Sequence, residues 1–192
     1  NGIFFVCGAA SILCVAVIAG YMIVSGLPAI QEVGLFNFLF GTEWAPTAEN
    51  PQFGILPMIL TTITGTLGAI LVGTPLGLFT AAFICYLAPK KLRTVLTAAV
   101  ELLAGIPSVI YGLVGITVIS PLVANLFDLP SGATLFTAIV VLSVMILPTI
   151  VSVSVTSLKA VPQEYSDGSL ALGATNVTTI FKMNVPAAKS GI

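Results

Sequence analysis

The chain of 192 residues is 57% hydrophobic and 7% charged, and its net charge is −1. A soluble domain has about 25% charged residues, so this composition excludes a soluble globule and predicts a membrane protein built from several α-helices. The small net charge gives no basis for binding nucleic acid, and the absence of histidine removes the commonest metal ligand and general base. We therefore expect neither a metal site nor a cofactor.

Four long apolar runs predict four transmembrane helices. The runs cover residues 3–24, 55–87, 95–127 and 133–155. The second and third are longer than a straight helix needs to cross a hydrocarbon core of about 30 Å. The second run should either project into water or bend at Pro75, which Gly73 and Gly77 flank. The third run should break at Gly105-Ile106-Pro107.

The stretch between the first two runs, residues 25–53, is acidic and aromatic and has no lysine or arginine. Its aromatic residues favour two structures equally: a belt at the membrane interface, or a loop that folds back over the helix bundle. The aromatic residues are Phe36, Phe38, Phe40 and Trp44, and the acidic residues are Glu32, Glu43 and Glu49.

The basic residues predict the topology. All of them lie in two places, one after the second apolar run and one after the fourth, and an even number of spans separates these places. Cytoplasmic loops are enriched in lysine and arginine, so both places and Asn1 should face the cytoplasm, and residues 25–53 should face outward. The basic residues are Lys90, Lys91, Arg93, Lys159, Lys182 and Lys189.

Glu101 is the one ionisable residue inside an apolar run. A carboxylate in the membrane is costly and indicates a functional site by default. Glu101 lies near the cytoplasmic end of its run, however, where water or Arg93 could stabilise it. Its role is therefore either structural or in the solute path.

The predicted helix break after Glu101 supplies further polar groups. Pro107 frees a backbone carbonyl, and Ser108 and Tyr111 supply hydroxyls. Broken helices line cavities in transporters, but a kink required for packing would use the same residues. The hydroxyls of Thr61 and Thr62 also have two alternative roles. They could bond to carbonyls of their own helix, or they could line a polar path.

The polar C-terminal segment, residues 159–192, predicts two short helices. Pro162 suits a first helical turn, Gly173 suits a left-handed helix terminus, Thr175 or Asn176 can cap the second helix, and Pro186 should end it. The segment could pack beneath its own bundle, enter a groove of a partner or, with few lysines to support it, lie on lipid. Helical spacing predicts one face with Val161, Tyr165, Ser169 and Leu172, and a second with Val177, Ile180, Phe181 and Val185.

This segment resembles the cytoplasmic coupling loop of ABC-importer permeases, whose pattern is E-A-A-x3-G-x9-I-x-L-P. Gly173 and Pro186 match in type and spacing, and Asp167 stands where the pattern has Glu. Gly168 and Ser169 keep the small size of the Ala pair, so another backbone can approach closely. Four stretches narrow the resemblance to the PstC-type permeases of phosphate importers: FLFGTEWAP (38–46), FGILPMILTTI (53–63), ELLAGIPSVIYG (101–112) and EYSDGSLALGAT (164–175).

The resemblance implies an all-α, type I ABC-importer permease in the cytoplasmic (inner) membrane that imports inorganic phosphate. Its partners would be a homodimer of ATP-binding subunits, a second permease and an external phosphate-binding protein. The chain has no phosphate loop of the GxxxxGK[ST] type, so it should be a transport subunit and not an enzyme. Such permeases usually have six core spans, so we expect a fragment whose later spans follow Ile192.

The candidate site residues form two groups. Coupling to the ATPase would use Glu164, Asp167, Gly168, Ser169, Gly173 and Pro186. A translocation path would use Glu101, Pro107, Ser108, Tyr111, Thr61 and Thr62. Two other functions stay open, namely import of another solute such as molybdate or sulfate, and a channel, secondary transporter or scaffold that needs no ATPase.

Overall fold

The computed structural model describes residues 2–191, so the predicted cytoplasmic position of Asn1 falls outside the described residues. The chain divides into two compact units at Thr62 and Ile63. Within residues 2–191, four helices are long and apolar enough to cross a membrane. They are Gly2–Val33, Leu56–Leu87, Ser108–Phe127 and Leu135–Lys159.

The first unit contains α1 (Gly2–Val33), α2 (Leu35–Phe40) and a two-stranded antiparallel sheet, β1 (Trp44–Ala45) with β2 (Gln52–Phe53). Helix α1 continues past the predicted end of the first span and includes Pro28. Gly34 separates α1 from α2 with a φ of 83°, a left-handed conformation that favours glycine.

The acidic, aromatic stretch closes on itself as a hairpin, which the sequence did not predict. Trp44 lies opposite Phe53, and their rings pack edge to face with centroids 6.0 Å apart. The backbones of Gly41 and Gly54 are in such close contact that a Cβ atom on either would overlap the other. The Ile55 amide donates to the Phe38 carbonyl at 2.9 Å, which joins α2 to the end of the hairpin.

Helix α3 (Leu56–Ala82) runs through Pro75 without interruption and continues as a π-helical turn, Phe83–Leu87. The helix is therefore not interrupted at Pro75, the position where a bend was expected. Residues on both sides of the proline explain this, because Gly73 packs against Ile146 and Gly77 against Ile150 of helix α7 (Leu135–Lys159). A helix held by a neighbour on both sides of a proline tolerates the loss of one backbone hydrogen bond.

The third apolar run is two separate helical segments, and its span begins later than predicted. Helix α4 (Lys90–Ala104) is amphipathic and begins in the predicted basic loop. The chain breaks at Gly105–Pro107, as predicted, and resumes as α5 (Ser108–Val114), a π-helical turn (Gly115–Ile119) and α6 (Ser120–Phe127).

A stripe of small residues lets α3 approach α7 closely. These residues recur every fourth position and are all buried: Gly65, Ala69, Gly73, Gly77 and Ala81. Isoleucine side chains of α7 cover the stripe, and Ser143 Oγ, also on α7, lies 3.4 Å from the Ala69 carbonyl oxygen. Small residues serve this purpose in membrane helix pairs, because association there depends on van der Waals packing.

The core of the second unit lies where this helix pair ends. Ala81, Ala82 and Ile84 from the α3 end pack with Val151, Val155 and Leu158 of α7. Ile180 and Ala188 from the C-terminal segment complete the same cluster. The segment therefore shares a core with the membrane helices. Its helices are α8 (Gln163–Ala171), α9 (Asn176–Thr179), a π-helical turn (Ile180–Asn184) and α10 (Val185–Ala187).

We predict that Gly77→Val destabilises the protein by about 1–3 kcal/mol, the usual cost of overpacking. A Cβ atom at Gly77 would lie 2.6 Å from Ile150 Cγ2 and 3.0 Å from Ile150 Cβ, which a β-branched side chain cannot readily vacate. Thermal unfolding of the purified protein in detergent measures the effect. Gly20→Val is the matched control, because nothing lies within 4 Å of a Cβ atom there. Equal loss of stability in both variants would contradict the proposed packing.

Candidate functional site

The first helix of the C-terminal segment forms as its turn and cap residues predict. Pro162 precedes α8, and Glu164 lies in its first turn. Gly173 has a φ of 87°, and its amide donates to the Leu170 carbonyl at 2.9 Å. Thr175 then caps α9 by accepting from the Thr178 amide at 3.2 Å. Gly173 is thus the left-handed joint between the two helices.

Gly168 and Ser169 lie in different environments, although they were predicted to form one small patch. Ser169 is buried, and its hydroxyl is 2.9 Å from that of Thr179 on α9. Nothing lies within 4 Å of a Cβ atom built on Gly168. Ser169 therefore joins the two helices of the segment. Gly168 has no side chain, so the outer surface of α8 is open at this position.

The outer surface of the segment exposes apolar side chains. Leu172 is 91% exposed, Val177 is 57% exposed and Tyr165 is 50% exposed, although none of them lies in a span-length helix. The predicted face of α8 is therefore divided, because Ser169 points inward and Tyr165 and Leu172 do not. An apolar patch outside the membrane spans is typical of a protein contact.

The acidic residues of α8 are exposed, and one borders a cavity. Glu164 and Asp167 both lie on the surface. Asp167 lines a cavity of about 450 Å³ together with Gln163 and Ser166 of α8 and Lys159 at the end of α7. This cavity lies between α8, the second half of the segment and the ends of the membrane helices.

The second half of the segment packs inward and does not end at Pro186 as predicted. Pro186 lies inside α10, which follows directly on the π-helical turn. Because α9, the turn and α10 form one uninterrupted helical run, Pro186 lies near its end, one residue before α10 ends at Ala187. Ile180 is buried in the core cluster, and the Phe181 ring contacts Phe79 of α3 edge to face at 5.6 Å. The sequence left three positions open for the segment: beneath its own bundle, in a groove of a partner, or on lipid. The second half of the segment packs beneath its own bundle.

The helix break between α4 and α5 is bridged by a tyrosine. Pro107 has no amide hydrogen to offer the Leu103 carbonyl, which instead accepts from the Ile106 amide at 3.2 Å and from the Tyr111 hydroxyl at 2.8 Å. Tyr111 also borders a cavity of about 200 Å³ whose other lining residues are aliphatic. Ser108 is exposed at the start of α5. The geometry gives Tyr111 a clear structural role in stabilising the break.

Glu101 lies on amphipathic α4 and not in a span-length helix, in contrast to its predicted position in an apolar span. It lines a cavity of about 140 Å³ with Lys159 of α7 and the hydroxyl residues Thr97, Ser152 and Thr156. Arg93, the partner considered from sequence, donates from its guanidinium to the Cys85 carbonyl at 2.6 Å. The arrangement places a carboxylate and an ammonium group around one small polar cavity.

Thr61 and Thr62 bond to carbonyls of their own helix. Thr61 Oγ1 donates to the Pro57 carbonyl at 2.7 Å, and Thr62 Oγ1 donates to the Met58 carbonyl at 2.8 Å. Both threonines belong to the first unit, and the other candidate path residues belong to the second. Of the two roles considered, bonding within the helix is therefore the one that the geometry describes.

Sequence reasoning missed three polar residues: Ser166 and Asn184 within the C-terminal segment, and Tyr86 at the end of α3. Asn184 is only 1% exposed. The sequence signal was an amide in the otherwise apolar stretch Met183 to Val185, where burial requires hydrogen-bond partners.

The comparison with known families identifies the class of protein. The family model described as "Binding-protein-dependent transport system inner membrane component" matches residues 73–192, which is more than half of the chain. The chain belongs to this family of inner-membrane permeases.

Individual relatives refine this assignment. The chain is 39% identical over 185 residues to the probable ABC transporter permease protein YqgH of Bacillus subtilis, covering 94% of this chain and 60% of that protein. It is 33% identical over 205 residues to the phosphate transport system permease protein PstC of Mesorhizobium japonicum, covering 96% and 62%. It is 34% identical over 190 residues to PstC of Xylella fastidiosa, covering 89% and 58%. The chain therefore spans about three fifths of the length of these relatives.

A solved structure confirms the fold class. A chain of the MetNI methionine ABC transporter, in an inward-facing conformation, matches with a TM-score of 0.54 and 24% identity, covering 72% of this chain and 62% of that one. The fold is therefore that of a type I ABC-importer permease, as the resemblance implied.

Alanine at the two glycines of the segment should have opposite effects. Gly173→Ala should cost about 1–2 kcal/mol, because alanine is strained at a φ of 87°. Gly168→Ala should stabilise the protein by up to about 1 kcal/mol, because it adds helix propensity in open space. Thermal unfolding in detergent compares the two variants, and a shift of both in the same direction would disprove this assignment.

Proposed function

We propose that this chain is part of the permease subunit of an ATP-driven phosphate importer. The observation that supports coupling is the C-terminal segment, which exposes apolar residues outside the spans and shares a core with α3 and α7 through Ile180 and Ala188. The support for phosphate is the similarity to permeases named for phosphate transport in several bacteria.

The proposed orientation follows from the basic residues. Lys90, Lys91 and Arg93 at the start of α4 and Lys159, Lys182 and Lys189 in the C-terminal segment all lie on one side of the membrane, because two span-length helices separate the two groups. The positive-inside rule places this side in the cytoplasm. The N-terminus is then cytoplasmic, and the Trp44–Phe53 hairpin faces outward.

The proposed partners follow from this orientation. A homodimer of ATP-binding subunits contacts the cytoplasmic segment, a second permease completes the path for inorganic phosphate, and an extracytoplasmic phosphate-binding protein docks on the outward side. This chain itself catalyses no reaction, and the ATPase subunits hydrolyse the nucleotide. Coupling residues on the exposed side of the segment are Glu164, Asp167 and Gly168, while Ser169, Gly173 and Pro186 maintain its shape.

The proposed mechanism transmits a movement through packed helices. Closure of the ATPase subunits displaces the outer surface of α8 near Leu172. Because Ile180 and Ala188 belong to the core at the ends of α3 and α7, the displacement reaches those helices directly. The break at Gly105–Pro107 and the polar cavity of Glu101 and Lys159 lie on helices that contact α7, and they are the proposed elements of the path.

Leu172→Asp should reduce both phosphate uptake and co-purification of the ATPase subunit by about tenfold or more, because it places a charge at the centre of an apolar contact. Leu172→Met is the matched control and should retain both. Uptake is measured with labelled phosphate, with excess sulfate and molybdate as competitors. Normal uptake and assembly in Leu172→Asp would refute the coupling surface, and strong competition by sulfate or molybdate would refute the assignment of phosphate.

Single cysteines test the orientation in a cysteine-free background. Ala48→Cys in the hairpin should react with a membrane-impermeant maleimide in intact cells. Lys189→Cys should react only after the membrane is permeabilised. Both residues are exposed, so reactivity reports the side of the membrane. The reverse pattern of labelling would invert the proposed topology.

A further inference from the structure

A buried amide connects the C-terminal segment to the membrane helices. Asn184 is 1% exposed and lies in the π-helical turn Ile180–Asn184. Its side-chain oxygen accepts a hydrogen bond from Ser166 Oγ of α8 at 3.1 Å. A buried amide is costly unless it has partners, so this contact fixes the position of α8 against the second half of the segment.

The other side of Asn184 faces the end of α3. It lines the same cavity as Tyr86, which lies in the π-helical turn Phe83–Leu87. Because the amide oxygen of Asn184 accepts from Ser166, the amide nitrogen is the group left for Tyr86. The Tyr86 hydroxyl in turn donates to the Leu158 carbonyl of α7 at 3.2 Å.

A polar chain therefore runs from Ser166 through Asn184 and Tyr86 to the Leu158 carbonyl, with hydrogen bonds at its two ends and all four residues around one cavity. It joins α8, the second half of the segment, the α3 end and the α7 end. Both central residues lie in π-helical turns, which are rare and are frequently found at functional sites.

The polar chain borders a cavity. Hydrogen bonds are therefore important for the position of α8 relative to the membrane helices. Tyr86, Leu158, Ser166 and Asn184 all line the cavity of about 450 Å³. Side chains beside an open volume have fewer neighbours to fix their position. Directional hydrogen bonds therefore help to set the distance between α8 and the membrane helices beside this cavity.

We propose that Asn184 is a positioning residue that makes the coupling segment move as one body with the ends of α3 and α7. This inference rests on the proposed function, since it assumes that an ATPase subunit drives the segment. Without the Asn184 amide, α8 still forms, but it opens locally more often and moves independently of α3 and α7. ATP hydrolysis then continues, while less solute is carried for each ATP.

The test uses the complete importer, with the full-length permease and all its partners, in proteoliposomes. Asn184→Leu, Tyr86→Phe and the double variant are compared with Asn125→Ala, an exposed asparagine on α6, and Tyr21→Phe, an exposed tyrosine on α1. Two quantities are measured: labelled phosphate transported per ATP hydrolysed, and deuterium uptake by the amides of residues 163–187.

Asn184→Leu should assemble and hydrolyse ATP, carry about tenfold less phosphate per ATP, and exchange amide hydrogens in residues 163–187 about tenfold faster. Tyr86→Phe should shift both quantities in the same direction by less. The double variant should resemble Asn184→Leu alone, because both residues act through one chain of contacts. The two control variants should match the unmodified importer.

Three results would overturn the inference: an unchanged phosphate-to-ATP ratio in Asn184→Leu, unchanged amide exchange, or additive effects in the double variant.

Failure of the proposed function is recognised separately. An unmodified complex that hydrolyses ATP but carries no phosphate refutes the assignment of phosphate. The amide exchange of Asn184→Leu then decides the inference, because that measurement does not depend on which solute is carried.

Discussion

The close approach of α3 and α7 is the contact on which the rest of the second unit depends. In a membrane, apolar side chains gain little by leaving lipid, so two helices associate through closely packed surfaces. The small residues of α3 supply such a surface, and the isoleucines of α7 fill it. This contact continues to the helix ends, where Ala81, Ala82 and Leu158 begin the core that receives the C-terminal segment.

The irregular parts of the chain are stabilised where backbone groups lose their usual partners. At the break before α5, the Leu103 carbonyl, to which Pro107 cannot donate, accepts from the Ile106 amide and the Tyr111 hydroxyl. At the α3 end, the guanidinium of Arg93 donates to the Cys85 carbonyl within the π-helical turn. An unpaired backbone group costs several kcal/mol in an apolar environment. These two side chains therefore hold conformations that an uninterrupted helix would not need.

The C-terminal segment has two surfaces with different roles. Its inner surface contributes Ile180 and Ala188 to the core and Asn184 to the polar chain. Its outer surface exposes Leu172 and Tyr165. A part that transmits movement between a partner and a helix bundle needs both, since a segment bound only to the partner would move without the helices. The division between Ser169 and Gly168, one buried and one open, separates these surfaces within α8.

The sequence by itself determined the features that depend on local chemistry. The number of spans follows from hydropathy and length, and the joint at Gly173, the Thr175 cap and the break at Pro107 follow from backbone preferences. Spaced motifs were also sufficient to assign the permease family.

Tertiary structure decided the features that depend on neighbours. Pro75 does not interrupt α3 because α7 holds the helix on both sides, Glu101 lies on an amphipathic helix beside Lys159, and Asn184 is buried because three other elements meet around it. Spacing along one helix cannot reveal such contacts, because they join residues that are distant in the chain.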